Sequence, residues 1–488
     1  MKRKTDTLPL LMLALSACTQ IPIELQPRYD LDAMNLAAAI SAESASSGVA
    51  DQPTMAKSSD GRFIAFREHI IDDTVSASFP LNGGDGLVMA DIDGDGHEDI
   101  VSVHESDTTY DGKASGHVRI AFGSENPGVW TNITLAKGQE AGAPEDAAIG
   151  DVNGDGYPDV IVAAELAHLI YFQNPGDNVR SHPWPRLILP QTKNRGSFIR
   201  VFLGDFNDDG RLEVVAPNKG VQNPDRSTTD KHAISIFHHN GNPLDAGGWS
   251  EYVLGQYIIP QNSHPVDLDG DGDLDIIGGS RGEERLILFE NTGGPGFNFR
   301  EHNVELTQGR AGGFNLEFAD INGDGRLDII SNTSVGLAWL EQPINWTESW
   351  VTHQIGTFAP DTVTGLAVAD INGNGFLDVI AGSYSRGPRD RDGDMGPEGR
   401  LGRIGWFEQP LDLSKLWTRH DISRRKRGMF DKFIARDLDG DGDMDFLGTR
   451  GNSEPFDGVF WLEQTRTNGP VKRFTPARTN DSQEMPLP

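Results

Sequence analysis

Asp91-Ile-Asp-Gly-Asp-Gly-His-Glu-Asp99 places acids at positions 1, 3, 5 and 9 of nine residues, with glycine at 4 and 6. The pattern returns at Asp151 to Asp159, Asp205 to Glu213, Asp267 to Asp275, Asp320 to Asp328, Asp370 to Asp378 and Asp437 to Asp445. Successive first aspartates lie 60, 54, 62, 53, 50 and 67 residues apart, a regularity that excludes coincidence. An apolar run such as Leu87-Val-Met-Ala90 or Leu366-Ala-Val-Ala369 precedes each stretch, and one such as Ile276-Ile277 or Val379-Ile380 follows it. That order reads as strand, tight acidic turn, strand. A third strand with an aromatic centre follows in Trp339-Leu-Glu-Gln-Pro343, Trp406-Phe-Glu-Gln-Pro410 and Trp461-Leu-Glu-Gln464, more loosely in Tyr171-Phe-Gln-Asn-Pro175 and Leu288-Phe-Glu-Asn291. A fourth carries Trp350-Val-Thr-His353-Gln-Ile355 and Trp417-Thr-Arg-His420-Asp-Ile422. Four strands per unit and seven units predict an all-β, seven-bladed β-propeller. Phe66-Arg-Glu-His69-Ile-Ile71 has the fourth-strand pattern but no blade before it, so it is expected to complete the last blade and close the ring.

The chain is 488 residues long, and 37% of them are hydrophobic, enough for a sizeable core. Its 73 Asp+Glu against 42 Lys+Arg give a formal net charge of -31, which argues against an ordinary basic nucleic-acid binder. An acidic excess of this size needs solvent or cations. The single cysteine, Cys18, excludes a disulfide framework within the chain and any multi-cysteine metal site.

Carboxylates or amides at positions 1, 3 and 5, a backbone carbonyl at 7 and a carboxylate at 9 surround one cation with hard oxygens, and glycine at 6 permits the sharp turn. Calcium suits this set, since soft ligands are absent and magnesium prefers a smaller octahedral shell with retained water. At these residues the sequence resembles the FG-GAP/VCBS repeat family, calcium-binding propellers that include the integrin α head, over about Gly61 to Gln464. Carried over residue by residue, the resemblance implies ligands Asp91, Asp93, Asp95, Asp99; Asp151, Asn153, Asp155, Asp159; Asp205, Asn207, Asp209, Glu213; and Asp267, Asp269, Asp271, Asp275. The other blades give Asp320, Asn322, Asp324, Asp328; Asp370, Asn372, Asn374, Asp378; and Asp437, Asp439, Asp441, Asp445. The sixth loop has two carboxylates, which should weaken it. Twenty-three of these side chains are carboxylates, so metal ligation accounts for most of the negative charge. Solvated Asp-Gly turns without metal are the other reading, but plain turns need no acid at position 9. Asp390, Asp392, Asp394 and Glu398 form an eighth candidate, with Met395 where the glycine should be.

Met1 to Lys4 is basic, Leu8 to Leu15 is a mostly apolar run too short to span a bilayer, and Leu15-Ser16-Ala17-Cys18 closes it. This reads as an export signal and resembles a bacterial lipobox, which implies that Cys18 becomes the lipidated first residue; an ordinary signal peptide with an incidental cysteine is the alternative. Thr19 is not the aspartate associated with inner-membrane retention, so the expected location is the cell envelope, lipid-anchored at the outer membrane. The expected organisation is a signal peptide over 1–17, a linker over 18–60, the propeller over 61–465 and a tail over 466–488 with an extra edge strand at Val471 to Phe474.

If the acidic loop joins strands one and two, the other connections emerge on the opposite face. The long insertions lie there, at Glu105 to Ser115, Lys193 to Ser197, Lys219 to Lys231, Arg281 to Arg285, Tyr384 to Arg403 and Ser423 to Lys432. Arg195, Arg281, Arg386, Arg389, Arg424, Arg425 and Arg427 make this face a candidate surface for a polyanion or carboxylated sugar. Pairing with neighbouring acids, as in Arg389-Asp-Arg-Asp392, is the competing reading. His69, His302, His353 and His420 recur around the ring and read as blade packing, as do Trp339, Trp406 and Trp461.

Two functions follow. The first is a monomeric cell-surface binding module for an anionic polysaccharide or a protein partner, with no nucleic acid and no membrane contact beyond the lipid. The second is a sugar-acting enzyme, a polysaccharide lyase or sugar dehydratase, which needs a tuned acid–base residue beside a group that stabilises the enolate. Candidates are His104, Glu105, Glu165, Lys219, Arg281, Tyr384 and His264, and no spacing selects among them.

Overall fold

The computed structural model describes residues 48–105, 115–166, 168–181, 183–385 and 395–488. Cys18, Arg386, Arg389, Asp390, Asp392 and Asp394 lie outside the described residues. Seven antiparallel sheets form a ring, the seven-bladed β-propeller that the repeats predict. Blade 1 runs outward from the axis as Gly84–Ala90, Asp99–His104, His117–Phe122 and Thr131–Lys137. Blades 2 to 6 repeat this order, and in every blade the acidic stretch is the hairpin between the first and second strands. Second strands such as Asp99–His104 and Asp378–Ser383 are buried along their whole length. A strand covered on both faces by neighbouring blades must be apolar throughout, which explains the unbroken Val/Ile runs.

Blade 7 takes three strands from the C-terminal end, Phe433–Arg436, Asp445–Arg450 and Gly458–Thr467. Its fourth is the N-terminal strand Phe63–Asp73, antiparallel to Gly458–Thr467 with His69 opposite Trp461. The two ends of the chain therefore close the ring as expected. A further short strand, Phe474–Thr475, runs parallel to Phe66 and Arg67. The segment before the first strand is packed as well: Val49, Ala50 and Ala56 are buried, and the Thr54 N–H donates to the Val471 carbonyl at 2.8 Å.

The core lies between blades. Trp339 packs on Leu366 and Phe407 of blade 6, Trp406 on Phe433 and Phe446 of blade 7, and Trp461 on Leu87 and Ile100 of blade 1. Across each blade a histidine stacks on the tryptophan, His353, His420 and His69 at centroid distances of 4.0, 4.3 and 4.4 Å. The glutamate two residues after each tryptophan meets the same ring, Glu341, Glu408 and Glu463 lying 2.7, 2.9 and 2.6 Å from Nε2. His302 pairs in this way with Glu290 at 2.6 Å. The recurring histidines and tryptophans thus serve blade packing.

On the axis, a polar plug lies beneath the insertion face. Arg200 of blade 3 donates to Asn315 Oδ1 of blade 5 at 3.0 Å and to Asp431 Oδ2 of blade 7 at 3.1 Å. Asn315 in turn donates to the carbonyls of Thr364 and Asp431 at 2.9 and 3.0 Å. Arg200 and Asp431 are both buried, so the charges that enter the axis are paired across it.

Candidate functional site

In each acidic loop the first aspartate organises the turn. Asp91 Oδ1 accepts the N–H groups of Gly94 and Asp95 at 2.8 and 3.1 Å, and Oδ2 that of Gly96 at 3.0 Å. Gly94 and Gly96 have φ of 72° and 92°, a region that side chains strain to enter. Asp208 stands at the first of these positions in the third loop with φ 59°, a conformation aspartate tolerates.

The acid at position 9 starts the second strand and is buried in all seven blades. Asp99 accepts from Ile92 N at 2.9 Å and from Gly123 N, just past the third strand, at 2.8 Å, fixing the loop to its sheet. Burial pushes these carboxyls up, to about 6 for Asp99 and Asp159. It pushes Glu213, Asp275, Asp328 and Asp378 to about 7 and Asp445 to about 8. The charges of neighbouring loop acids add to that shift. Carboxylates of Asp91, Asp93 and Asp99 lie within 4.8 Å of one another, as do those of Asp205, Asp209 and Glu213, of Asp267, Asp269 and Asp271, and of Asp437, Asp439 and Asp441. In the third loop Asn207 Oδ1 is buried without a hydrogen-bond partner. These all-oxygen sets fit a hard divalent cation. Arg180 contacts the first loop, its Nε 2.8 Å from Asp93 Oδ2. In the sixth loop the Asn372 amide turns to Glu408 Oε1 at 3.1 Å.

The glutamine of the Trp-Leu-Glu-Gln motif ties each loop to the next blade. Gln342, Gln409 and Gln464 donate to the carbonyls of Leu268, Ile321 and Ile371, the second residue of the preceding blade's loop, at 2.8, 3.0 and 3.1 Å. Asn174 and Asn291 do the same to Ile92 and Phe206 at 2.9 and 3.1 Å, and His239 meets Val152 at 3.0 Å. At the closing junction the position belongs to Gly123, where a Cβ would lie 2.4 Å from the Glu98 carbonyl oxygen. There Arg436 pairs with Glu98 at 2.9 Å instead.

The insertion face corrects one expectation. Arg424, Arg425 and Arg427 are 0, 1 and 3% exposed and form no open basic surface. Arg424 chelates Asp361 through Nε and Nη2 at 2.7 and 2.9 Å, Arg425 reaches Glu68 at 2.8 Å, and Arg427 donates to the Asn452 carbonyl at 3.0 and 3.1 Å. The reason is tertiary: Ser423 to Arg425 continue the fourth strand of blade 6, Thr418–Arg425, and the C-terminal segment docks on it, with Met485 N donating to the Arg424 carbonyl at 2.7 Å. Arg195 is exposed and paired with Glu251 at 2.5 Å.

A basic groove lies elsewhere on this face, between the connections of blades 3 to 6. It has a volume of about 240 Å³ and is lined by Arg226, Arg281, Arg310, Glu284, Gln261, Phe314, Asn332, Ser334 and Thr364. Arg310 meets Glu284 at 2.8 Å, and both are largely exposed. Only Arg281 of this arginine set was singled out in the sequence; Arg226 and Arg310 carried no motif.

Of the acid–base candidates, the structure brings Glu105, Glu165 and Lys219 together and adds Glu145. The three glutamates have carboxylates within 4.8 Å of one another, all buried, and Lys219 is ion-paired with Glu165. Desolvation pulls Lys219 down to about 8 against the charges of Glu145 and Glu105. His104 is fully buried beside Ser102 Oγ at 3.0 Å, and burial holds it neutral. His264 lies on the axis between Phe202 and Phe318, and Tyr384 bridges to Met429 through its backbone. The residues that sequence reading missed have a signal, though. Five residues before each loop's first aspartate come Gly86, Asp146, Arg200, Asn262, Asn315, Gly365 and Lys432, five polar residues and two glycines at the start of the innermost strands or just before it.

Fold and loops together define a propeller whose innermost hairpins are acidic turns with carboxylates grouped as a divalent cation would need them. Three FG-GAP-like repeats match, at residues 91–162, 151–216 and 267–331, so the chain carries FG-GAP repeats on a seven-bladed β-propeller. No curated protein matches the sequence. Among solved structures the chain is similar to an Agrocybe aegerita lectin that recognises non-reducing terminal N-acetylglucosamine, at 15% identity and TM-score 0.41 over 72% of this chain and 82% of that one. It is also similar to YCF48 from Cyanidioschyzon merolae, at 11% identity and TM-score 0.43 over 81% and 98%. No helix among the described residues is long and apolar enough to cross a membrane.

Proposed function

We propose that this protein is a calcium-held propeller, lipid-anchored through Cys18 at the bacterial outer membrane, which binds an anionic polysaccharide on its insertion face. The groove of Arg226, Arg281 and Arg310 carries this reading, because a chain of net charge -31 concentrates three guanidinium groups there beside amides, hydroxyls and Phe314. Guanidinium forks hold carboxylates and sulfates bidentately, and an aromatic face packs on a sugar ring. Calcium would be held by the carboxylates and amides of the seven loops, with the sixth weakest; bound there, it neutralises crowded acids. The loops lie on the opposite face, so their part in binding is to keep the blades, and hence the groove, in register.

Replacing Arg226 and Arg310 with serine tests the groove without touching a buried pair. Retention on polygalacturonate should fall about tenfold and become salt-insensitive, while retention on dextran stays as it was, since exposed charges are screened over about 10 Å at 0.1 M salt. Equal retention of acidic polymer by wild type and variant, or none by wild type, refutes the glycan reading. The enzyme reading draws on the Glu105, Glu145, Glu165 and Lys219 cluster, and new ultraviolet absorbance from unsaturated sugar ends in the same assay would replace binding with lyase activity. Cys18→Ser should release the protein from the membrane fraction; retention in high salt refutes the anchor.

A further inference from the structure

Above the plug of Arg200, Asn315 and Asp431, the innermost strands enclose an axial cavity of about 500 Å³. Solvent exposure of the wall begins three residues before the acidic loops, at Val88, Phe202, His264, Glu317 and Ile434, while two residues deeper Gly86, Asp146, Arg200, Asn262 and Gly365 are buried and Asn315 and Lys432 half-buried. The cavity is therefore a pit that opens on the acidic-loop face and ends at the plug. One wall is aromatic: Phe202 and His264 line it with ring centroids 4.7 Å apart, and Phe318 backs His264 at 4.9 Å. Met89, Ile149 and Ile434 make the wall aliphatic elsewhere.

Of the polar side chains that line this space, Asp146 accepts Val201 N and Arg436 pairs with Glu98, which leaves three from three blades, His264, Glu317 and Lys432. None of them makes a side-chain hydrogen bond or an ion pair among the described residues, although the Lys432 charge acts on both of the others. All three are half-buried and open to this one cavity, so a ligand's polar end entering it meets a lysine, a carboxyl and an imidazole together. Desolvation lifts Glu317 to about 7 against the opposing effect of Lys432, and burial drives His264 down to about 3, helped by the same lysine. Near neutrality these three groups offer one cation outside any ion pair, a carboxyl able to donate, and an uncharged imidazole, within largely apolar walls.

We propose that the axial pit binds a small aromatic monocarboxylate, its carboxylate held by Lys432 and Glu317 and its ring against Phe202 and His264. A monoanion matches Lys432, the lining cation that is not already paired as Arg436 is with Glu98, and its ring takes up apolar surface that the plug keeps from running through to the other face. The site lies on the face opposite the arginine groove and stands or falls independently of it.

Phenylacetate is the probe, with phenylethanol as the neutral analogue and acetate as the ringless one, measured by calorimetry and by saturation-transfer NMR. Phenylacetate should bind once per chain with a dissociation constant of about 1 mM or tighter, and each control about tenfold more weakly. Lys432→Met should weaken phenylacetate about tenfold or more. Ala435→Phe narrows the wall beside the mouth without altering the three polar groups; it also crowds the core between blades and should lower the melting temperature somewhat, but in protein that remains folded it should abolish binding, which keeps the test decisive should Lys432→Met fold poorly. The proposal is overturned by no phenylacetate binding to wild type, by equal binding of phenylethanol, or by full binding in folded Ala435→Phe.

Discussion

Replacing Gln342 with leucine isolates the amide that joins one blade to the loop of the blade before it. Gln342 is 2% exposed, and its Nε2 donates to the Leu268 carbonyl at 2.8 Å. Leucine retains the volume and the backbone bond from Gln342 N to Asp328 Oδ1 at 3.0 Å, so only the side-chain donor is lost. A buried carbonyl left without its donor costs about 1–3 kcal/mol, and the gain from burying an apolar side chain offsets part of it, leaving a net loss of about 1–2 kcal/mol. Equilibrium urea denaturation in excess calcium measures this as a shift in midpoint at constant slope. Gln464→Leu removes the corresponding bond to Ile371 at 3.1 Å, two junctions further round the ring, together with those to the Met444 carbonyl at 3.0 Å and from Arg466 Nε at 3.2 Å, so its loss should be at least as large. The two losses should add to within about 0.5 kcal/mol, because the sites share no partner. A change below about 0.5 kcal/mol for both variants, the range of an ordinary surface substitution, would refute the idea that these amides hold the blades together.

Chelation should lower the melting temperature and calcium restore it, one ion at 100-fold excess over its dissociation constant being worth about 2.7 kcal/mol. The pH sign follows from the position-9 acids: with folded values raised to about 7 for Asp378 and about 8 for Asp445, the metal-free fold binds protons more tightly than the unfolded chain. Its stability should fall as pH rises from about 4 to about 8, while the calcium-induced gain grows over the same window; a flat metal-free melting profile there sinks the argument. Arg424→Met strands Asp361, whose side chain is fully buried and whose remaining cation, Arg403, is 3.5 Å away, and should cost about 3–5 kcal/mol; pairing it with Asp361→Asn should recover part of that. Unchanged thermal stability in the single variant would contradict the buried pair.

Seven loops, four strands per blade and closure by the N-terminal strand were legible in the sequence, because each is a local pattern repeated at a fixed interval. The Trp-Leu-Glu-Gln motif was legible as a strand, yet its division of labour was not. Tryptophan packs on the next blade, glutamate meets the histidine of its own blade, and glutamine reaches the loop of the preceding blade. Those partners lie in three different places relative to one short motif, and a linear pattern carries no direction in space. The same limit governs charge. Ser423-Arg-Arg-Lys-Arg-Gly428 reads as a basic patch, but the exposure of an arginine depends on what docks over it. Arg425 finds Glu68 at a separation of 357 residues, and the C-terminal segment covers its neighbours. Glu105, Glu145, Glu165 and Lys219 likewise meet only because successive blades are wound about one axis. The sequence by itself determined the repeating unit, its count and its acidic turn, since these rest on contacts within about 60 residues of chain. Only the tertiary structure decided which charges are buried and paired, where the arginine groove opens and what stands unpaired on the axis, since burial and pairing depend on residues brought together by the closed ring.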